Sequence, residues 1–265
     1  NEMDQVGALK LTRAPVAILL DYPSLWQHEI QPQGRAGSVL EMSRAVYSAC
    51  RRFGLDVDVV SSRSDLEGYK LILMPSLTTV DDDVVRRLKA AGATVLATPL
   101  TGSRTGEGHI PDGLAPGAFA DGLPMRVERF ESLAPFIPVP VTLDGVDYNS
   151  GLWRESVSSE ADVLALFDNG EPAWLQHESF HYLACWPGDE LLAAVLRRLC
   201  EGVDLQVREC GPGVRLRCAG NVQFAFNYGP DDFDLTMIGA PAEASAFLIG
   251  GPRIACADVS AWRLP

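Results

Sequence analysis

The stretch that decides the fold is PVAILLDYPSLWQHEIQPQGRAG, residues 15–37. Its first part, residues 16–20, is an apolar run that stops at Asp21. A short apolar run of this kind is typical of a strand buried on both faces, as in a parallel sheet. We expect a long loop next, whose prominent side chains are Tyr22, Trp26, His28 and Glu29. Because ligands of open α/β sheets bind beyond the carboxyl ends of the strands, this loop is the first candidate site.

Strands and helices alternate after this stretch. Ser38 and Glu41 have the spacing of a capping box, and apolar residues at helical spacing continue as far as Gly54, where a helix would end. Strands are expected at residues 55–60, 71–74 and 94–97. The aspartates at 81–83 open a second helix, and we interpret them as an N-cap and dipole partners rather than metal ligands. This alternation predicts a three-layer α/β domain.

The middle of the chain, residues 100–124, is rich in Gly and Pro and shows no periodicity, which predicts a long loop that covers a surface or joins an interface. It contains Gly102-Ser103-Arg104-Thr105-Gly106, which lacks the spacing and the lysine of a P-loop, so phosphate binding is not expected. A third helix is expected to end at Gly202. Further strands are expected at residues 125–130, 153–157, 163–167, 173–176 and 182–186.

The sequence changes character after Gly202. Short alternating segments without a helical pattern predict a small antiparallel β-domain. We therefore divide the chain into a linker remnant (residues 1–14), an α/β domain (15–202) and a C-terminal β-domain (203–265). The first residues lack an initiator Met and the features of a signal peptide, so we expect them to be the cut end of a longer chain.

Composition narrows the function classes. The chain has 265 residues, 47% of them hydrophobic, which is enough to bury a substantial core. Its formal net charge of −13 disfavours nucleic acid and anionic membranes as partners. No apolar run is long enough to span a bilayer. The six cysteines form no CxxC pair, and we interpret them as reduced thiols of a cytoplasmic protein.

The sharpest catalytic motif is His177-Glu178-Ser179-Phe180-His181, a literal H-E-x-x-H. On a helix this spacing binds zinc, but the flanking residues are strand-like and Asn169-Gly170 upstream is a turn signal. We therefore expect a β-hairpin that binds no metal. No G-x-S-x-G or G-x-G-x-x-G is present, and no Cys follows the fourth strand, where an amidotransferase-like nucleophile would stand. No catalytic or cofactor-binding residue is assigned.

The order of segments resembles the C-terminal part of family 42 glycoside hydrolases, the bacterial β-galactosidases. The resemblance covers the chain from about residue 14 to its end. The matching stretches are Ala17-Ile18-Leu19-Leu20-Asp21-Tyr22, Glu29-Ile30-Gln31-Pro32-Gln33, Gly68-Tyr69-Lys70-Leu71-Ile72-Leu73, Gly102-Ser103-Arg104-Thr105, Gly151-Leu152-Trp153-Arg154-Glu155, Ala184-Cys185-Trp186-Pro187 and Phe224-Ala225-Phe226-Asn227-Tyr228-Gly229-Pro230.

The resemblance implies a flavodoxin-like domain, similar to class I glutamine amidotransferases, that forms a homotrimer, followed by a small β-domain. In this family the acid/base and nucleophile carboxylates of the retaining mechanism lie on an N-terminal (β/α)₈ barrel, which has no counterpart here. No catalytic residue, metal site or cofactor can therefore be transferred to this chain. The resemblance also implies that loops of this domain wall the sugar site of a neighbouring subunit.

Our interpretation is a non-catalytic trimerisation and β module of a cytoplasmic β-galactosidase. Its partners would be further copies of itself and the catalytic barrel of its own or a neighbouring subunit. The candidate interface or sugar-site wall consists of Tyr22, Trp26, His28, Glu29 and Arg104. A stand-alone carbohydrate-binding or interaction protein remains the alternative, and an amidotransferase-like or zinc hydrolase is a third. It also remains open whether Trp26 folds back into its own domain.

Overall fold

The computed structural model describes residues 12–32, 37–134 and 137–264. Most of the expected linker, residues 1–11, lies outside these ranges, as does Gln33 of the opening stretch. The α-helices of the described residues are α1 (Tyr22–Ile30), α2 (Val39–Arg52), α3 (Asp82–Ala91) and α4 (Asp189–Gly202). None of these helices is both long and apolar enough to cross a membrane. Short 3-10 turns lie at Gly117–Asp121, Leu235–Ile238 and Ala244–Ala246.

The strands divide into those before and those after α4. Before α4 they are β1 (Val16–Leu19), β2 (Val57–Val60), β3 (Leu71–Met74), β4 (Thr94–Ala97), β5 (Met125–Ser132), β6 (Val139–Leu143), β7 (Val146–Ser159), β8 (Asp162–Phe167), β9 (Pro172–His177), β10 (Phe180–Leu183) and β11 (Cys185–Pro187). After α4 they are β12 (Val214–Ala219), β13 (Val222–Asn227), β14 (Phe233–Asp234), β15 (Phe247–Ile249), β16 (Arg253–Ile254) and β17 (Val259–Arg263).

One half of the main sheet is parallel. Its strands run in the order β2-β1-β3-β4-β10, and all four pairings between them are parallel. Every residue of β1 and β3 is buried, as the sequence predicted for strands covered on both faces. The α/β class is therefore confirmed for this part of the chain.

The other half of the main sheet is antiparallel and larger than the sequence indicated. It continues from β10 through β9, β8, β6 and β7 to β11, and β5 also pairs with β7. The hairpin of β6 and β7 was not predicted. Its turn is Asp144-Gly145, with φ of 51° and 79°, which is the Asp-Gly signal of a two-residue hairpin. The sequence analysis missed this turn because the residues at the start of β7 are exposed and mostly polar.

The prediction of a long loop after β1 is wrong, because residues 22–30 form α1. Asp21 has an extended N-cap conformation and Pro23 lies in the first turn, where its missing N–H costs nothing. The Asp21 carboxylate does not cap the helix but accepts hydrogen bonds from the backbone N–H and hydroxyl of Ser62, beyond β2. Tyr22, Trp26 and Ile30 recur at a spacing of four, a helical signal that the sequence analysis did not use. In the structure this apolar face is exposed, and Ser24 is the only fully buried residue of the helix.

The other helix ends follow the predicted local chemistry. At α2, the Glu41 N–H donates to Ser38 Oγ at 3.1 Å and the Ser38 N–H donates to Glu41 Oε2 at 2.8 Å, which confirms the capping box. At α3, Asp81 Oδ1 accepts the Val84 N–H at 3.0 Å. The aspartate cluster thus caps a helix, and its Asp83 carboxylate is held by arginines such as Arg87 at 2.7 Å.

The residues after α4 form a separate antiparallel sheet, in the order β12-β13-β17-β15, and a short pair, β14-β16. This confirms the small antiparallel sheet predicted from the alternating pattern. The exact division into domains at Gly202 stays a prediction.

Arg51 ties the small sheet to the first half of the chain. Only 7% of Arg51 is exposed. Its guanidinium donates to the carbonyls of Leu55 and Leu216 and lies 3.4 Å from Asp56 Oδ1. Asp56 Oδ2 also accepts the Cys218 N–H at 2.8 Å. Both charges are largely withdrawn from water. Removing Arg51 would leave the Leu55 and Leu216 carbonyls without this donor and Asp56 with only the less buried Arg217, at 3.7 Å, as a cationic partner.

We therefore expect Arg51→Met to lower the free energy of unfolding by about 3 kcal/mol. The adjacent Arg52 is exposed, so Arg52→Met should change stability by less than about 0.5 kcal/mol. Urea titrations of both variants measure the difference. Equal stability of the two variants would show that the Arg51 contacts contribute little.

Candidate functional site

Three segments meet at the carboxyl edge of the parallel strands: α1 after β1, the residues after β3, and the loop after β4. Gln27 of α1 joins them. Its side-chain oxygen accepts hydrogen bonds from the hydroxyls of Thr78 and Thr79, both at 3.0 Å, and its amide donates to the Thr105 carbonyl at 2.8 Å. One amide side chain thus fixes α1 against both loops, as expected for the ligand edge of an open sheet.

The outer face of α1 is apolar, and none of the residues that the structure describes covers it. Tyr22, Trp26 and Ile30 are spaced by four residues and are 70%, 58% and 83% exposed. The Tyr22 and Trp26 rings lie with their centroids 5.7 Å apart. Trp26 therefore does not fold into the core of the described residues. Together with Gln31 and Gly106, Trp26 and Arg104 line a cleft of about 500 Å³ beside the helix.

The remaining candidate residues are placed differently. His28 is half-buried and lines a narrow gap with Gln31 and Arg104. Burial lowers the pKa of His28, against the opposing charges of Glu41 and Glu29. Glu29 is exposed. The structure therefore brings Trp26, His28 and Arg104 together around the loop after β4, while Tyr22 and Glu29 lie outside the two clefts.

The loop after β4 begins with a sharp turn. Leu100 is buried and has a φ of 72°, and its N–H donates to Glu155 Oε1 at 3.0 Å. Gly102 follows with a φ of 63°, and a Cβ there would stand 1.8 Å from the carbonyl oxygen of Pro116. The Arg104 N–H donates to the Thr78 carbonyl at 3.0 Å. These contacts fix the course of the loop and the position of the Arg104 backbone within it.

Glu155 is the buried acid at the centre of this arrangement, and the sequence analysis did not single it out. Oε1 accepts the N–H groups of Leu100 and Trp153, both at 3.0 Å, and Oε2 accepts the Tyr182 hydroxyl at 2.6 Å. Burial raises the pKa of Glu155, although its three hydrogen bonds act in the opposite direction. Glu155 alternates with Trp153 and Val157 on one face of β7, and a carboxylate in an apolar row was the available signal.

A cavity of about 410 Å³ opens next to Glu155, and we name it the Glu155 pocket. Trp153 is buried at the pocket and its ring stacks on that of Phe130, with centroids 4.8 Å apart and planes 12° apart. The pocket is lined by Leu100, Ser103, Arg104, Ile110, Leu114, Ala115, Val127, Glu128, Arg129, Phe130, Trp153 and Glu155. Arg104 lines both this pocket and the cleft beside α1, so the two cavities are neighbours at the same edge of the sheet.

The H-E-x-x-H segment forms the predicted β-hairpin. His177 pairs with Phe180 and His181 pairs with Gln176 across a turn at Glu178, which has a φ of 51°. Neighbouring pairs of a hairpin point to opposite faces, so the two imidazoles diverge. Burial, reinforced by the charge of Arg198, lowers the pKa of His181 to about 4. The arrangement differs from the helical zinc motif, and the absence of metal binding stays a prediction.

The protein is an α/β scaffold with an apolar surface at the carboxyl edge of its parallel strands. In open α/β sheets this edge commonly binds ligands. Comparison with known proteins agrees with this class. Residues 14–206 match the family model described as "Beta-galactosidase trimerisation domain". The chain belongs to this family, which confirms the resemblance to family 42 drawn from the sequence.

Individual relatives extend over almost the whole chain. Over 263 residues the chain is 38% identical to β-galactosidase BgaA of Thermus sp, covering 98% of this chain and 40% of the relative. Among solved structures, the β-galactosidase of the psychrophilic Marinomonas ef1 matches with a TM-score of 0.91 and 32% identity, over 99% of this chain and 39% of that one. The β-galactosidase of Halorubrum lacusprofundi matches with a TM-score of 0.90 and 25% identity, over 99% and 41%. The chain thus spans about two fifths of their length.

Glu155 gives a pH-dependent prediction. Its folded-state pKa lies above the ordinary value of 4.5, so its contribution to stability is complete below that pH and is lost as the pH rises through the folded-state pKa. In Glu155→Gln the amide oxygen keeps the two N–H donors and the amide nitrogen donates to Tyr182. The stability of the wild-type chain relative to this variant should therefore fall with rising pH, by at most about 1.4 kcal/mol per unit.

Denaturant titrations between pH 4 and 8 measure this difference, and the contribution of His181 cancels because both proteins carry it. Glu155→Ala leaves three donors without an acceptor and should cost about 2 kcal/mol or more at every pH. Exposed Glu160→Gln is the control. Parallel stability curves for wild type and Glu155→Gln would show that Glu155 ionises normally.

Proposed function

We propose that this chain is the non-catalytic assembly module of a larger β-galactosidase, and that it self-associates through the carboxyl edge of its sheet. The observation that supports this most directly is a set of uncovered apolar side chains around Arg104. We name it the Arg104 surface, consisting of Arg104 with Tyr22, Trp26, Ile30, Ile110, Leu114 and Phe130.

The chemistry of the Arg104 surface suits a protein interface. Scattered exposed apolar side chains are normal, whereas a contiguous group that includes aromatic residues and arginine is typical of interface cores. Gln27 and Glu155 hold its two sides in fixed positions, so little ordering is needed on association. The family description names trimerisation, and the proposal locates this role on a defined surface.

The scaffold supports a role without chemistry. The parallel order β2-β1-β3-β4-β10 is that of flavodoxin-like sheets, which favours the relation to class I glutamine amidotransferases drawn from the sequence. Leu100 has a left-handed conformation directly after β4, where a strained turn would present a nucleophile in such an enzyme. A buried leucine offers no thiol or hydroxyl there. We assign this chain no catalytic residue, metal or cofactor.

The remaining parts of the proposal concern the whole protein. Its relatives are named β-galactosidases, and we infer a homotrimeric, cytoplasmic enzyme that hydrolyses terminal β-D-galactosides with retention, using carboxylates outside this chain. In that assembly, α1 and the loop at residues 101–110 would contact a neighbouring subunit or wall its sugar site. The alternative, a carbohydrate-binding protein, is favoured only by the exposed pair of Tyr22 and Trp26 rings.

We expect Trp26→Ala, in the protein expressed from its complete reading frame, to raise the dissociation constant of the assembly about tenfold or more. The fold should be intact because the Trp26 ring is mostly exposed. Tyr228→Ala removes an even more exposed aromatic ring outside the Arg104 surface (74% against 58% for Trp26) and is the control. Sedimentation velocity over a concentration series measures the association, and galactoside kinetics measure any effect on the sugar site.

Unchanged mass and unchanged kinetics in Trp26→Ala would contradict the proposed role of the Arg104 surface. Binding of galactosides by the chain alone, lost in Trp26→Ala with no change in mass, would instead support the carbohydrate-binding alternative.

A further inference from the structure

We propose that the Glu155 pocket receives an apolar side chain from a neighbouring copy of the protein, and that Arg104 at its mouth pairs with an acidic group beside that side chain. This inference rests on the proposed assembly role and identifies the part of the Arg104 surface that anchors the contact.

The pocket has the form of an anchor site. Its inner part is made by Trp153 and Glu155, both buried, and one side by Phe130, which is 57% exposed and stacks on Trp153. A volume of about 410 Å³ is larger than one apolar side chain and admits it with part of its backbone. Interface anchors are typically apolar or aromatic groups that fill well-formed pockets near the centre of the contact.

The polar atoms of the pocket favour an apolar occupant over a sugar. Both Glu155 oxygens and the Trp153 N–H are engaged with each other, with Leu100 and with Tyr182. At the rim, Arg129 faces Glu131 at 3.5 Å and Glu171 at 3.8 Å. A hydroxylated ligand in the inner part of the pocket would find these donors and acceptors already engaged within the protein. An apolar group needs no hydrogen bond there and is therefore favoured.

Arg104 supplies the charge argument. Its guanidinium donates to the Ser103 carbonyl at 2.9 Å, and no carboxylate oxygen of the described residues lies within 4.0 Å of it. The chain carries 35 acidic and 22 basic side chains, so acidic side chains that could pair with this cation outnumber basic ones on a second copy. An arginine within an apolar surface then gives the contact both attraction and register.

The trimer named in the family description requires a heterologous contact, in which the pocket of one copy meets a different surface of the next copy. Heterologous contacts build closed rings when the rotation between copies closes. A trimeric ring built through the Glu155 pocket needs no second type of interface.

The test fills the pocket and reverses its charge in the protein expressed from its complete reading frame. Ser103→Phe places a ring in the pocket, and Arg104→Glu changes the charge without needing any room inside it. Ser245→Phe, at an exposed serine outside the Arg104 surface, is the matched control. Sedimentation velocity gives the dissociation constants, and urea titration checks each fold.

We expect Ser103→Phe and Arg104→Glu each to raise the dissociation constant about tenfold or more, with the Ser245→Phe control unchanged. The Arg104→Glu effect should shrink at high salt because it is electrostatic. If Trp26→Ala weakens assembly while both pocket variants leave it unchanged, the pocket proposal is wrong and the assembly role stands. If all three leave it unchanged, the assembly surface itself is wrong.

Discussion

The buried carboxyl of Glu155 is the interaction on which the functional edge of this molecule depends. Through two oxygens it joins three segments that are distant in sequence: the turn at Leu100, the indole of Trp153 on β7, and the hydroxyl of Tyr182 on β10. Burial of a carboxyl group is costly, and the cost is limited here by three hydrogen bonds and by a raised pKa that favours the neutral acid. The parallel and antiparallel halves of the main sheet are thereby held together at the point where the loop after β4 leaves the sheet.

The contacts of Glu155 also help to fix the position of the Arg104 surface. The turn at Leu100 directs the loop to Arg104, and Gln27 fixes α1 against the same loop at Thr105. Apolar side chains on both sides are therefore presented in one arrangement before any partner arrives. A surface that is ordered in advance loses little conformational entropy on association, which is what an assembly module needs.

Much of the parallel half and of the helix capping could be predicted from local sequence. The buried runs of β1 and β3, the Ser38–Glu41 capping box and the Asp81 N-cap each express one local rule. The predictions failed where tertiary context decided. Helix α1 carries Tyr22, Trp26 and Ile30 at a spacing of four, but local spacing did not show that this apolar stripe faces solvent. Among the candidate site residues, Trp26, His28 and Arg104 do converge, but Glu155 was missed because its partners Leu100 and Tyr182 are brought to it only by the folded sheet.

The central claim is that the Arg104 surface is covered when copies of the protein assemble. Hydrogen–deuterium exchange of the protein expressed from its complete reading frame tests it most directly, by comparing concentrated, assembled samples with samples diluted below the dissociation constant. The account predicts that backbone amides of α1 and of residues 103–110 exchange more slowly in the assembled state, while those of α3 exchange at the same rate in both states. Equal exchange of α1 and residues 103–110 in the two states would contradict the account.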